Sequence, residues 1–117
     1  MQTDGTMLIT NNIDACIPFY STLLDTSAEL GAGWAQFALG DGTIVALHTP
    51  WEEGMTTHGG SHVLLLRVDS LSEQTARLRA AGLDVSEPHD IPGGAVVSLT
   101  DPDGRTVQLI ERSETSS

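Results

Sequence analysis

Apolar and polar residues alternate most clearly near the end of the chain, at residues 98–111. Two short apolar runs there flank a turn at residues 101–104, which reads Asp-Pro-Asp-Gly. Proline sets φ at the second turn position, aspartate bonds back to the backbone, and glycine suits the last position. After the turn, alternation puts Thr106, Gln108 and Ile110 on one strand face. The pattern predicts a hairpin of two late strands.

The first half of the chain predicts a strand, a helix and a hairpin in that order. Residues 6–10 form a short strand candidate. Asn11 or Asn12 can cap a following helix, in which one apolar face contains Ile13, Ile17, Tyr20 and Leu24 at helical spacing. Residues 26–33 have a weak pattern. Residues 34–39 and 43–48 flank a Gly-Asp-Gly turn and predict a hairpin.

The second half repeats this order after a loop at residues 49–61. Residues 62–68 are apolar enough to predict a strand that is covered on both faces. Ser70 and Glu73 form a capping box that opens a helix ending near Gly82, with Leu71, Thr75 and Leu78 turned inward. An irregular strand at residues 83–91 and strands at 94–100 and 105–111 follow. Residues 113–117 are expected to be a flexible tail.

The two halves therefore each read as strand, helix and three strands. Their best internal match aligns the Asp-Gly turn at residues 41–42 with the one at 103–104. In this alignment Ala46 and Gln108 occupy equivalent strand positions. Because one such unit can hardly cover both faces of its sheet, pairing of the two units is the expected solution.

Composition narrows the possible functions. The chain has 117 residues, enough for one domain spanning 1–117, and a net charge of −11 with no lysine. The absence of lysine excludes Schiff-base chemistry, and the negative charge argues against nucleic-acid binding. No apolar run is long enough to span a membrane, so we expect a cytoplasmic protein. The single cysteine, Cys16, is expected to be buried and unreactive.

The duplicated βαβββ pattern resembles the vicinal oxygen chelate superfamily, which groups glyoxalase I, bleomycin-resistance proteins and extradiol dioxygenases. The resemblance rests on Phe19-Tyr20, on Arg67-Val68-Asp69, on the Leu-Arg-Ala-Ala-Gly sequence at 78–82 and on the Asp-Pro-Asp-Gly turn. It implies an α+β fold of two modules, at about residues 5–50 and 61–112. These modules would form a curved, partly open, eight-stranded mixed sheet with a concave ligand cleft.

Enzymes of this superfamily hold a divalent metal through His, Gln or Glu on the first and last strands of each half. The resemblance places those positions at Gly5, Ala46, Val63 and Gln108. Three of them carry no donor side chain, and a catalytic site needs about three protein ligands. We therefore expect no metal and no cofactor. A site formed by His48, Gln108 and a shifted His62 remains an alternative.

Other candidate catalytic groups give little support for an enzyme. His58 and His89 are expected at the surface, and no nucleophile is accompanied by a base. Glu111 alternates away from Gln108, so we expect an outward carboxylate rather than a general base. These residues therefore do not decide whether the protein is an enzyme.

The face that carries Gln108 predicts an apolar trough with a few polar points, typical of a small-molecule site. Trp34 and Trp51 add aromatic surfaces that suit planar or cationic compounds. The predicted ligand-binding residues are Met7, Ile9, Trp34, His48, Trp51, Val63, Leu65, Arg67, Gln108 and Ile110. We expect a homodimeric, metal-independent protein that sequesters a cationic or planar hydrophobic compound. The alternative is a lyase, isomerase or dioxygenase that uses a divalent metal near His48 and Gln108.

Overall fold

The computed structural model describes residues 1–55 and 63–113. Within them lie two helices and eight strands, which confirm the α+β class and the βαβββ modules. In chain order the elements are β1 (Gly5–Ile9), α1 (Ile13–Leu24), β2 (Glu29–Gly31), β3 (Trp34–Ala38), β4 (Ile44–His48), β5 (Leu64–Arg67), α2 (Leu71–Ala80), β6 (His89–Ile91), β7 (Gly94–Thr100) and β8 (Thr106–Arg112). No helix in the described ranges is long and apolar enough to cross a bilayer.

The described residues divide into two compact units, each built around one four-stranded sheet. Residues 1–55 and 102–104 belong to the first unit, and residues 63–101 and 105–113 to the second. The strand orders are β1-β4-β3-β2 and β5-β8-β7-β6. In each sheet the first strand pairs in parallel with the last, and the remaining neighbours are antiparallel. The repeat predicted from the sequence is therefore present in the strand order and strand pairing of the two sheets.

Helix α1 covers one face of the first sheet, next to β3 and β4. Its fully buried side chains are Cys16, Tyr20 and Leu23, which recur at helical spacing. The apolar face predicted for this helix was only partly right. Of its four members, only Tyr20 is fully buried. Cys16 is buried as predicted, with its thiol 3.6 Å from the hydroxyl of Thr10.

The start of α1 differs from the predicted cap. Asn12 occupies the N-cap position, but its side chain makes no capping hydrogen bond. Instead, the Thr10 hydroxyl accepts a hydrogen bond from the Asn12 backbone N–H at 2.8 Å. Asp14 lies in the first turn, where a negative charge is favourable.

The neighbouring strand β2 lies in the segment whose sequence pattern is weak. Its three residues are exposed, and the strand is held by its pairing with β3.

Helix α2 follows the sequence prediction closely. The Ser70 hydroxyl accepts a hydrogen bond from the backbone N–H of Glu73 at 3.3 Å. Leu71, Thr75 and Leu78 are buried, and Gly82 follows the helix with φ of +90°. The first strand of this unit differs from expectation, because the prediction of cover on both faces was wrong. Alternate residues of β5 are exposed, and Leu65 is 59% exposed.

The Asp-Pro-Asp-Gly turn is held by a buried ion pair. The Arg105 guanidinium lies 2.6 Å from the Asp101 carboxylate, with side-chain exposures of 7% and 0%. The other Asp101 oxygen accepts a hydrogen bond from the Arg105 backbone N–H at 2.9 Å, as the predicted turn chemistry requires. Gly104 has φ of +82°, which a residue with a side chain adopts only with strain.

Removal of this ion pair should cost far more stability than removal of an exposed one. We expect Arg105→Met to lower the free energy of unfolding by about 3–5 kcal/mol, because the buried Asp101 carboxylate would lose its guanidinium partner. Urea unfolding followed by circular dichroism measures this change. The matched control is Glu87→Gln, which breaks the exposed Arg79–Glu87 pair and should cost at most about 1 kcal/mol. Similar losses in both variants would contradict the role of the buried pair.

The hairpin turn between β3 and β4 contains an aspartate with a lowered pKa. Asp41 accepts hydrogen bonds from the Thr43 hydroxyl at 2.6 Å and from the Thr43 backbone N–H at 3.0 Å. These bonds favour the carboxylate and hold the pKa of Asp41 below its ordinary value of 3.8. The resulting stabilisation is present above the unfolded-state pKa and disappears as the pH falls through the folded-state value.

We expect Thr43→Val to raise the pKa of Asp41 toward its ordinary value, because the stronger of the two hydrogen bonds is removed. An NMR titration of the side-chain carboxyl carbons measures the shift. Thr43→Ser keeps a hydroxyl and should leave the titration close to that of the original chain. An unchanged pKa in Thr43→Val would show that the hydroxyl contributes nothing.

Candidate functional site

In the first unit, strand register brings four of the predicted ligand-binding residues onto one face of the sheet. Ile9 pairs with His48, and His48 pairs in turn with Trp34. In the next row on that face, Met7 pairs with Ala46. Directly paired residues share a face, and the residues between them turn toward α1. Met7, Ile9, Trp34 and His48 therefore lie on one face of the first sheet, and their role in ligand binding stays a prediction.

His48 connects this face to Trp51. The two rings are in edge-to-face contact, with centroids 4.9 Å apart and an interplanar angle of 84°. The Nδ1 atom of His48 lies 2.6 Å from the backbone carbonyl oxygen of Thr49. Because a carbonyl only accepts, Nδ1 carries the proton, and Nε2 is the acceptor in the neutral ring. Trp51 itself is 58% exposed, so its indole offers an aromatic surface beside an oriented imidazole.

Trp34 owes its position to a glycine on the neighbouring strand. Gly31 pairs with Trp34, and the indole occupies the space that a Cβ at position 31 would need. The indole is thus packed over the backbone of β2 at one end of the row that contains His48. Gln36, which lies on the same face opposite Ala46, adds an amide that the sequence reasoning missed. The sequence signal that could have found it is its position two residues after Trp34, which places both side chains on the same strand face.

The second unit contains an equivalent face around Gln108. Leu65 pairs with Gln108, which pairs with Ser98, and the Gln108 side-chain amide donates to the Ser98 hydroxyl at 3.3 Å. Arg67 pairs with Ile110 one row away. Leu65, Arg67, Gln108 and Ile110 therefore share a face, as predicted. Ser98, which fixes the Gln108 amide, was missed.

The members of this second set differ in exposure. Val63 immediately precedes β5 and is 47% exposed, and Leu65 is 59% exposed. Ile110 is only 7% exposed. Exposed apolar side chains such as Leu65 are the ones that a ligand or partner would cover with the largest gain.

The donor set in the described residues does not fit a divalent catalytic metal. Gly5, Ala46 and Val63 carry no ligating atom, and Gln108 is hydrogen-bonded to Ser98. Within residues 1–55 and 63–113, no group of three or more His, Cys, Asp and Glu side chains could hold a metal ion. His58 and His62 lie outside the described residues, so the alternative site with His62 stays a prediction. His89 is exposed, as predicted.

Glu111 has a structural role on the opposite face of β8 from Gln108. Its carboxylate accepts a hydrogen bond from the Leu71 backbone N–H at 2.6 Å. A carboxylate at a helix N-terminus satisfies a free donor and interacts favourably with the helix dipole. The sequence predicted an outward carboxylate but not this contact, because Leu71 and Glu111 are 40 residues apart.

Comparison with known proteins identifies the family. The family model of the Glyoxalase/Bleomycin resistance protein/Dioxygenase superfamily matches residues 2–109. The chain belongs to this superfamily. No curated protein matches the sequence significantly.

Several solved structures share the glyoxalase/bleomycin resistance/dioxygenase fold of this chain. TnmS3, an antibiotic binding protein from Streptomyces sp. CB03234, is 25% identical with a TM-score of 0.77, and the match covers 97% of each chain. A glyoxalase/bleomycin resistance protein from Albidiferax ferrireducens is 21% identical with a TM-score of 0.77, covering 93% of this chain and 97% of that one. The fosfomycin resistance protein FosX from Mesorhizobium loti is 15% identical with a TM-score of 0.72, covering 97% and 94%. The last two likenesses show the fold alone.

The packing of Trp34 over Gly31 can be tested by tryptophan fluorescence. In a Trp51→Phe background, where Trp34 is the remaining tryptophan, we expect Gly31→Ala to shift the emission to longer wavelength. The added methyl group would displace the indole toward water, because the indole occupies the space that a Cβ at position 31 would need. Gly40→Ala is the control, because a Cβ at that position meets nothing within 4 Å. Equal spectra for both variants would contradict this packing.

Proposed function

We propose that this protein is a metal-independent binding protein that sequesters a cationic or planar hydrophobic small molecule, in the manner of antibiotic-resistance members of its superfamily. The observation that carries the proposal is the exposed indole of Trp51 in contact with the oriented His48 ring. This pair extends the sheet face that contains Trp34, Met7 and Ile9.

Exposure and charge support this type of ligand. Trp51 is 58% exposed and Met7 is 51% exposed, so the face offers a large aromatic surface next to a soft apolar one. An indole face attracts a cation by about 0.5–2 kcal/mol. The net charge of −11 raises the local concentration of cationic compounds near the protein.

The comparison with TnmS3 supports the same class of function. TnmS3 is an antibiotic binding protein, and its likeness to this chain extends over 97% of both chains. Binding without chemical change also agrees with the donor set at Gly5, Ala46 and Val63, which offers no metal ligands. We further propose a homodimer, since exposed Met7 and Leu65 provide apolar surface that a second copy could cover. A cytoplasmic location stays a prediction from the sequence.

One observation favours the second candidate, a lyase, isomerase or dioxygenase of the same superfamily. His48 donates Nδ1–H to a backbone carbonyl, the arrangement that orients metal-binding histidines in many proteins. Elemental analysis of protein purified without chelator separates the two candidates. Stoichiometric zinc, nickel, manganese or iron would favour the enzyme and contradict metal-independent binding.

Titration with planar cationic compounds tests the first candidate. We expect bleomycin, or another member of a panel of planar cationic antibiotics, to change tryptophan emission saturably. Trp51→Ala should weaken that binding by roughly 2- to 30-fold, the range of one lost cation–π contact. Light scattering on the same samples gives the oligomeric state at which the affinity is measured.

The control variant is Leu30→Ala, which truncates an equally exposed apolar residue of the same unit. Leu30 pairs with Ala35 and so lies on the opposite sheet face from Trp34. This variant should bind as the original chain does. Unchanged emission across the whole panel would contradict the proposal, as would equal weakening by Trp51→Ala and Leu30→Ala.

A further inference from the structure

The charges of the chain are divided unevenly between its two halves. The five basic side chains are all arginines, and all lie between residues 67 and 112. Residues 1–55 contain no arginine or lysine but many carboxylates, namely Asp4, Asp14, Asp25, Glu29, Asp41, Glu52 and Glu53. The last two directly follow Trp51, are exposed, and make no hydrogen bond or ion pair within the described residues. A cation beside the Trp51 indole is therefore favoured, and an anion is disfavoured.

The imidazole of His48 presents a hydrogen-bond acceptor on the same sheet face. Its Nδ1–H donates to the Thr49 carbonyl at 2.6 Å, so the neutral ring carries no proton on Nε2. The two ring nitrogens point in divergent directions, which directs Nε2 away from that carbonyl. Within residues 1–55 and 63–113, Nε2 makes no hydrogen bond, and the ring is half-buried.

The contact between His48 and Trp51 places this acceptor next to the exposed indole. Because the two ring centroids are only 4.9 Å apart, a planar compound that covers the indole also reaches the imidazole. Such a compound would remove Nε2 from water. An acceptor that loses its water without gaining a partner is unfavourable, so a ligand that brings a donor to Nε2 binds with an advantage.

We propose that His48 restricts the ligand to planar cations whose charged nitrogen carries an N–H group. This N–H would donate to Nε2 while the positive charge lies beside Trp51, Glu52 and Glu53. A cation of the same shape with fully methylated nitrogens has no proton to donate, and its methyl groups would face the Nε2 lone pair. The inference rests on the proposed function, because it places the ligand on the face that contains Trp51 and His48 and narrows the chemical class of that ligand.

Two phenothiazinium dyes of the same planar ring system and charge test this selection. Thionin carries primary amino groups, and in methylene blue the same nitrogens are fully methylated. Binding to the full-length protein is measured by equilibrium dialysis in the dark, at about pH 8, where an imidazole is ordinarily neutral. The buffer contains EDTA, so that no metal ion competes for Nε2.

We expect thionin to bind about tenfold more tightly than methylene blue, the effect of one charge-assisted hydrogen bond. Burial of apolar surface alone would favour methylene blue, because of its additional methyl groups. A preference for thionin therefore cannot be attributed to hydrophobicity.

Three variants test whether His48 is the source of the preference. His48→Phe keeps an aromatic ring beside Trp51 but removes the acceptor, so the ratio of the two dissociation constants should fall to about one. His48→Gln supplies an amide oxygen as acceptor and should retain a preference for thionin. His89→Phe is the control, because it removes an exposed histidine of the second unit and should leave the ratio as it is. Partial unfolding would weaken the binding of both dyes equally and so would not change the ratio.

The outcomes separate this inference from the proposed function. Saturable binding of both dyes with no preference for thionin would contradict the role of His48 and leave a binding protein for planar cations. A preference that survives in His48→Phe, or that is lost in His48→Gln or in His89→Phe, would also contradict that role. Binding of neither dye would contradict both proposals.

Discussion

Within residues 1–55 and 63–113, each four-stranded sheet is accompanied by a single helix, which packs on one of its two faces. This constraint divides every strand into two sets of side chains. In the first unit, Leu47 and Ala35 point toward α1 and are fully buried, whereas the alternate residues His48 and Trp34 are only half-buried. Apolar burial under the helix supplies the stability, and the other face is left with side chains that can contact something else.

The same division explains why adjacent residues of β8 have unrelated roles. Val107 and Leu109 are buried on the face next to α2, and Glu111 on that face binds the helix N-terminus. Gln108, between the two apolar residues, points the other way and bonds to Ser98. A strand period of two residues thus separates packing chemistry from binding chemistry within one short sequence.

Two kinds of polar contact complete the helix and turn geometry that burial alone leaves undetermined. The Asp101–Arg105 pair fixes the turn before β8, with both charged groups removed from water. The Glu111–Leu71 bond joins β8 to the first residue of α2. Asp101 and Glu111, two of the sixteen acidic residues, thus have specific partners in the fold. The acidic residues behind the net charge of −11 are therefore not all solvated surface groups.

Local patterns determined much of this protein from the sequence alone. The Asp-Pro-Asp-Gly turn, the Ser70–Glu73 capping box and the β3–β4 hairpin all formed where predicted, because each depends on residues only a few positions apart. The alternation of β8 correctly assigned Gln108 and Ile110 to one face. The duplicated order of elements gave the family, which the match over residues 2–109 confirms.

Tertiary structure decided what depended on distant partners. The buried stripe of α1 runs through Cys16, Tyr20 and Leu23, whereas Ile13, Ile17 and Leu24 are only half-buried, since the sheet beneath the helix selects which side turns inward. The apolar run of β5 predicted a strand that is covered on both faces. Hydrophobicity, however, indicates only that burial of these side chains would be favourable. The partner of Glu111 and the position of Trp34 over Gly31 likewise required the folded chain, because no short-range pattern encodes a contact between separate elements.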